Sequence, residues 1–312
     1  METSPGAVGT LDLPWSRAGD VGSGPGPSQV REVTPPDSIW DAASAMEREA
    51  VGSGNGTGPR LLELIGREER LGPFTAPIGS DLSGRTIWHD LHSSAARHLL
   101  VRAPAPQRFE AIRTVAAGLA LTTRPALLQV LTIDSTGREL LFIESLPHAI
   151  AETAIDPAAA GLSLRWLSAE LEARGREGRT WPGILLVIDD LACLESRESR
   201  GGRRALNRIL RRGGGLGIHV VAGASERYRP LWRSAWRRAD VAHMAGSVLP
   251  GEFVHRQGKS ASRMAVARLS AVELDLIARG MAWRRGIPPE MPSDKRLQPP
   301  SGPGRLFDGG PR

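Results

Sequence analysis

The chain is poor in three things at once. It has one cysteine (Cys193), one tyrosine and, for a basic protein, only two lysines (Lys259 and Lys295) in 312 residues. A lone cysteine excludes an internal disulfide and suits a reducing compartment. Cys193 follows the apolar run ILLVIDD and reads as a small buried residue rather than a reactive thiol. Long apolar runs are also missing: none approaches the length of a membrane span, and the first residues lack the charged and apolar regions of a signal peptide. A cytoplasmic location is expected, with any membrane association made through a partner.

The net charge is +6 and the pI is near 10.6, a balance that suits a nucleic-acid partner. Because nearly all of that charge is arginine, a skew that a GC-rich coding sequence also produces, charge alone leaves DNA and a plain solvated surface equally open. The 36 glycines and 24 prolines gather toward the ends, in VGSGPGPSQ, VGSGNGTGP, PPSGPG and DGGP. Such segments cannot bury enough apolar surface to offset chain entropy. The composition therefore predicts disordered tails over 1–60 and 286–312, with a short helix over 38–51, around one folded domain at 61–285.

Inside that domain four apolar runs are nearly continuous: Arg97–Val101, Leu127–Ile133, Gly183–Ile188 and Gly217–Ala222. Strands buried on both faces of a parallel sheet read this way. Helical stretches alternate with them at Phe109–Leu121, Pro157–Arg174 and Arg203–Arg212. The pattern predicts an α/β layered fold with a mostly parallel central sheet. Gly251–Leu269 reads as a two-stranded addition at the sheet edge. Gly258-Lys259-Ser260 within it is no phosphate-binding tail, since the required upstream glycine is Phe253 and strand, not helix, follows.

One further absence bears on chemistry. The stretch His98–Leu121 reads as a buried strand, a loop and an amphipathic helix, the layout of a phosphate-binding loop. Yet no residue from Ala103 to Glu110 is glycine, lysine, serine or threonine. Pro104 and Pro106 have no backbone N–H to offer a phosphate. The frame is there without its contact atoms.

Further motifs stand in register with that frame: IGSDLSGRTIWHDL at Ile78–Leu91, HLLV at His98–Val101, LTIDSTGRELLFIESLPH at Leu131–His148, LRWLSAELEAR at Leu164–Arg174, ILLVIDDLACL at Ile184–Leu194 and GGLGIHVV at Gly214–Val221. In this order they resemble the motor domain of the FtsK/SpoIIIE family of DNA translocases, including the related type VII secretion ATPases, from Pro77 to Asp275. The resemblance implies a RecA-like P-loop NTPase layered fold and, in intact members, ATP hydrolysis. Carried over from HLLV, it puts Ala103 at the first glycine of the loop, Arg108 at the second, Phe109 at the lysine and Glu110 at the hydroxyl, with Arg102 and Gln107 completing the nucleotide position. It implies Asp189 as the Mg²⁺ ligand and Asp190 as the acid that polarises the attacking water. That acid is normally glutamate, one methylene longer. The sensor strand, usually ending A-T-Q-R-P, continues here as Gly223-Ala224-Ser225-Glu226-Arg227. Three catalytic parts are thus altered together, and the expected reading is a pseudo-ATPase that needs no cofactor. The alternative is an active ATP-dependent DNA or protein translocase in which Arg108, Asp189 and Asp190 supply the chemistry with ATP and Mg²⁺.

Two arginine-rich segments complete the reading. Arg203, Arg204, Arg208, Arg211 and Arg212 fall on overlapping faces of one short helix, near Arg197 and Arg200. They either track duplex DNA phosphates or form a solvated face. In RYRPLWRSAWRR (Arg227–Arg238), Trp232 and Trp236 stand at i, i+4 and mark an apolar helix face or a subunit contact. The expected partners are duplex DNA and either an active paralogue or a second copy of the chain.

Overall fold

A computed structural model describes residues 58–67, 72–199, 201–225, 236, 240–246 and 251–283. The predicted helix at 38–51, nearly all of both predicted tails, Arg200 and the Arg227–Arg238 run apart from Trp236 lie outside the described residues.

The four apolar runs become parallel strands β3 (His98–Arg102), β4 (Leu128–Ile133), β5 (Gly183–Ile188) and β6 (Ile218–Ala224), and a fifth that was not among those runs, β7 (Val241–Gly246), joins them in the spatial order β7-β3-β6-β5-β4. All six residues of β5 are buried because each face meets a different core. Leu185 and Val187 point to a cluster shared with α2 (Ala105–Thr122). Ile184, Leu186 and Ile188 point to a cluster shared with α3 (Pro157–Glu177) and α4 (Gly202–Arg212). The start of α3 is fixed locally: Asp156 accepts from the amides of Ala158 and Ala159, and Pro157 opens the first turn.

Four antiparallel strands extend the sheet beyond β7: β1 (Thr75–Asp81), β2 (Thr86–Asp90), β8 (Glu252–Gln257) and β9 (Ser260–Val266), completing the order β2-β1-β9-β8-β7. The β8–β9 hairpin is therefore internal, a correction to the edge position read from sequence. The edge is taken by the early β1–β2 hairpin, which pairs with β9 through Gly79 opposite Val266. A side chain at Gly79 would put its Cβ 2.0 Å from the Ala265 carbonyl, so only glycine allows this approach. Gly258-Lys259 forms the turn between β8 and β9, in keeping with its rejection as a phosphate loop.

A third apolar cluster joins α1 (Leu61–Gly66) and α5 (Ala271–Trp283) to the outer side of α2, through Leu61, Leu64, Ala117, Ala120, Leu274 and Ile277. Trp236 is 2% exposed and belongs to the cluster under α3 and α4, so it fills the core and is not available as a subunit contact. Among the described residues no helix is long and apolar enough to cross a membrane.

Candidate functional site

The site expected from the motifs lies where β3, β4, β5 and β6 end. The chain leaves β3 at Arg102, and α2 begins after only two intervening residues, at Ala105. That is four residues earlier than the predicted start at Phe109. Without glycine nothing favours an open loop, and Pro104 and Pro106 are tolerated at a helix start because the first amides lack helical partners anyway. Gln107, Arg108, Phe109 and Glu110 consequently lie in the first turns of a helix. The Ala103 amide, which the motif would aim at a phosphate, donates instead to the Ala224 carbonyl at 3.3 Å.

Arg108 is the centre of the arrangement. It is 3% exposed, and each of its three guanidinium nitrogens finds an acceptor. Nε donates to the Asp189 carbonyl at 3.1 Å, Nη1 to the Ala103 carbonyl at 3.3 Å and Nη2 to Asp190 Oδ2 at 2.8 Å. The Phe109 ring lies 4.9 Å from its Cζ, within cation–π range. Across the strand tips stands Gly223, where a Cβ would come 2.7 Å from Arg108 Cδ and 2.0 Å from the Asp189 carbonyl.

Both acids are also engaged inside the chain. Asp189 is fully buried and accepts from Ser135 Oγ and from the Asp190 amide, each at 2.6 Å. Burial pushes its carboxyl up to about 6, against the opposing pull of those hydrogen bonds. Asp190 pairs with Arg108 through Oδ2, while its Oδ1 accepts from the Ala192 amide and caps the 3₁₀ turn Leu191–Glu195. Asp134, at the end of β4, is used by its own turn, accepting from Thr136, Gly137 and Leu140. Burial raises the pKa of Glu110, against the opposing influence of the Arg113 and Arg268 charges. Gln107 approaches Gly246 of β7, and Arg102 is half-buried at the end of β3. Cys193 is half-buried and burial raises its thiol, in keeping with an unreactive role.

Several groups that Mg·ATP would need here are engaged inside the chain. A working loop needs several free amides, a lysine and a hydroxyl, and this one offers a helix start with two prolines. Magnesium requires oxygens at about 2.0–2.1 Å in octahedral array. The acids here are already bound to Arg108, Ser135 and backbone amides. The motifs led to Arg108, Asp189 and Asp190 but missed Ser135 and the role of Gly223. Neither has a local signature, since adjacent strand ends bring them in. Two clefts, of about 340 and 220 Å³, open at the opposite end of the sheet, lined respectively by His255, Gln257 and Trp88 and by His92, Arg97 and Trp181.

The arginine helix α4 packs Ala205, Leu206, Ile209 and Leu210 inward. Arg204, Arg208 and Arg211, at i, i+4 and i+7, form an exposed stripe. Arg208 donates to Ser168 Oγ at 3.2 Å, Arg212 pairs with Glu172 of α3 at 2.8 Å, and Arg203 is half-buried. Of the five candidates, Arg204 and Arg211 face solvent, Arg208 and Arg212 are exposed but share Glu172 at 3.7 and 2.8 Å, and Arg203 is partly covered.

Residues 62–179 match the model of the FtsK/SpoIIIE family. The chain is 25% identical over 170 residues to the DNA translocase SftA of Bacillus subtilis, covering 48% of this chain and 18% of that protein. It is 26% identical over 176 residues to the DNA translocase FtsK of Lactiplantibacillus plantarum, covering 48% and 22%. It therefore spans about a fifth of the length of these curated relatives. Among solved structures, the cytoplasmic domain of the Thermomonospora curvata type VII secretion ATPase EccC aligns with TM-score 0.54 at 20% identity, over 64% of this chain and 27% of that one. The pCW3 conjugation coupling protein TcpA, in its monomer form with ATPγS, aligns with TM-score 0.55 at 17% identity, over 67% and 70%. At these identities the structures share the fold. The chain carries an FtsK/SpoIIIE-like domain, similar over residues 62–179 to that family's model and to DNA translocases, on the RecA-like P-loop ATPase fold that these structures share.

Proposed function

We propose that this chain is an FtsK-like pseudo-ATPase, a module that neither holds nor hydrolyses ATP and acts as a DNA-binding partner of an ATP-hydrolysing relative or of its own copies. The observation that supports this most is the Arg108–Asp190 pair. A buried guanidinium stands among the groups that a nucleotide and its metal would need, and its removal would leave Asp190 uncompensated. The active-translocase alternative requires Arg108, Asp189 and Asp190 to be free for nucleotide, and each is committed within the chain. The exposed Arg204, Arg208 and Arg211 stripe supports duplex DNA as a partner, bound through phosphates without sequence preference. Its place of work is the cytoplasm, with any membrane contact made through the partner.

Isothermal titration of the purified chain with ATP and Mg²⁺ tests the nucleotide half. No saturable heat is expected up to millimolar ATP; micromolar affinity, or Mg²⁺-dependent hydrolysis lost in Asp189→Ala, would overturn it. Light scattering of the chain, alone and with an intact family ATPase, tests assembly. A monomer that ignores the ATPase at tens of micromolar removes the partner role.

A further inference from the structure

We infer that the pocket at the strand ends, built from the Ala103 and Asp189 carbonyls, the Asp190 carboxylate and the open wall at Gly223, is a guanidinium-binding site whose resident ligand is the chain's own Arg108. This rests on the reading that the site does not hold nucleotide, and it adds what the site holds in its place.

The geometry is that of a recognition site for a planar fork. Its three acceptors lie on three different segments: the strand–helix junction for Ala103, the end of β5 for the Asp189 carbonyl and the following turn for Asp190. Each meets a different nitrogen of one guanidinium, which is how such a group is bound in preference to a point-like ammonium. One of the three acceptors is ionised, so the pair is charge-assisted. The Phe109 ring lies 4.9 Å from Cζ, and the aliphatic stem runs beside Gly223, where any Cβ would overlap Cδ. Magnesium would find a different set: two carbonyls, an Asp190 carboxylate whose other oxygen caps a turn, and an Asp189 side chain held by Ser135 and a backbone amide. The same strand ends that would take a cation from solvent have acquired one in the sequence.

Truncation of Arg108 to alanine removes the atoms of ethylguanidinium, so that small cation is the probe. Thermal melts of the full chain are expected to show the Arg108→Ala variant several degrees below wild type. Low-millimolar ethylguanidinium should recover most of that loss in a saturable way. Ethylammonium and MgCl₂ with ATP should not recover it, and none of the three should raise the wild-type melting temperature. An unshifted variant, or recovery by ethylammonium as good as by ethylguanidinium, overturns the guanidinium site while leaving the nucleotide-free reading intact. Recovery by Mg·ATP overturns both. If Arg108→Ala does not fold, Arg108→Lys takes its place. That variant keeps the charge but offers one nitrogen to three acceptors, so it should melt well below wild type, and a wild-type melting temperature would refute the site.

Discussion

Buried charge is where single residues matter most in this protein. Arg174 is 1% exposed and donates to Glu170 Oε1 at 2.8 Å and to the carbonyls of Thr180, Pro182, Leu216 and Gly217 at 2.6–3.4 Å. It ties the end of α3 to the approaches of β5 and β6. Arg174→Ala takes a donor from the Thr180, Pro182 and Leu216 carbonyls, while Glu170 keeps Arg179 and the Gly217 carbonyl keeps the Ile184 amide. A cost of about 1–3 kcal/mol is expected; urea titrations of the variant and wild type measure it, and a loss below about 1 kcal/mol would make the residue an ordinary surface arginine. Asp189 behaves in the opposite sense with pH. Its folded-state carboxyl holds a proton up to about 6, above the 3.8 of a free aspartate. Its contribution is therefore fully present below about pH 4 and is lost as pH rises through 6. The stability of Asp189→Asn relative to wild type should climb by up to about 3 kcal/mol between those limits, as read by denaturation at a series of pH values. A flat difference would mean that the carboxyl is not desolvated as described. Sequence made both residues visible as members of motifs, but their energetics depend on burial and on partners that no motif contains.

At the scale of elements, α4 is a two-sided object. Its apolar side was legible as a helical stripe, and so was the excess of arginine on the other side. Which arginine is held by a close ion pair was not, because Glu172 lies forty residues before Arg212 on a neighbouring helix. Arg204, Arg208 and Arg211 should each contribute to phosphate binding, and Arg212 less so. Replacing those three together with alanine should flatten the slope of log affinity against log salt for duplex DNA by up to about 3, at roughly 0.9 for each phosphate no longer neutralised. Arg212→Ala should change that slope by clearly less than one phosphate's share. Fluorescence anisotropy over a salt series gives both numbers, and an unchanged slope in the triple variant assigns the stripe to solvated surface. The early start of α2 belongs to this scale too. Glycines hold a phosphate loop open, and in their absence alanine, glutamine and arginine join the helix as soon as the first proline allows.

For the whole molecule the expected signature is indifference to nucleotide. A ligand that binds only the folded state adds about 2.7 kcal/mol of stability at a hundred times its dissociation constant. Melting of the wild-type chain should therefore be unmoved by millimolar Mg·ATP, and an upward shift of several degrees would contradict the proposed function. The sequence by itself determined the strand–helix alternation, because strands buried on both faces are written as unbroken apolar runs. It also determined that the segment after β3 carries no glycine, lysine or hydroxyl, and a proline lacks an N–H and phenylalanine an amine wherever they are placed. Only the tertiary structure decided what the strand ends hold. Arg108 meets Asp190 across 82 positions and Ser135 meets Asp189 across 54, contacts created by the order in which parallel strands lie side by side. It likewise decided that the β8–β9 hairpin is interior, since alternation along a strand specifies which face is buried and says nothing about which neighbour will arrive at its edge.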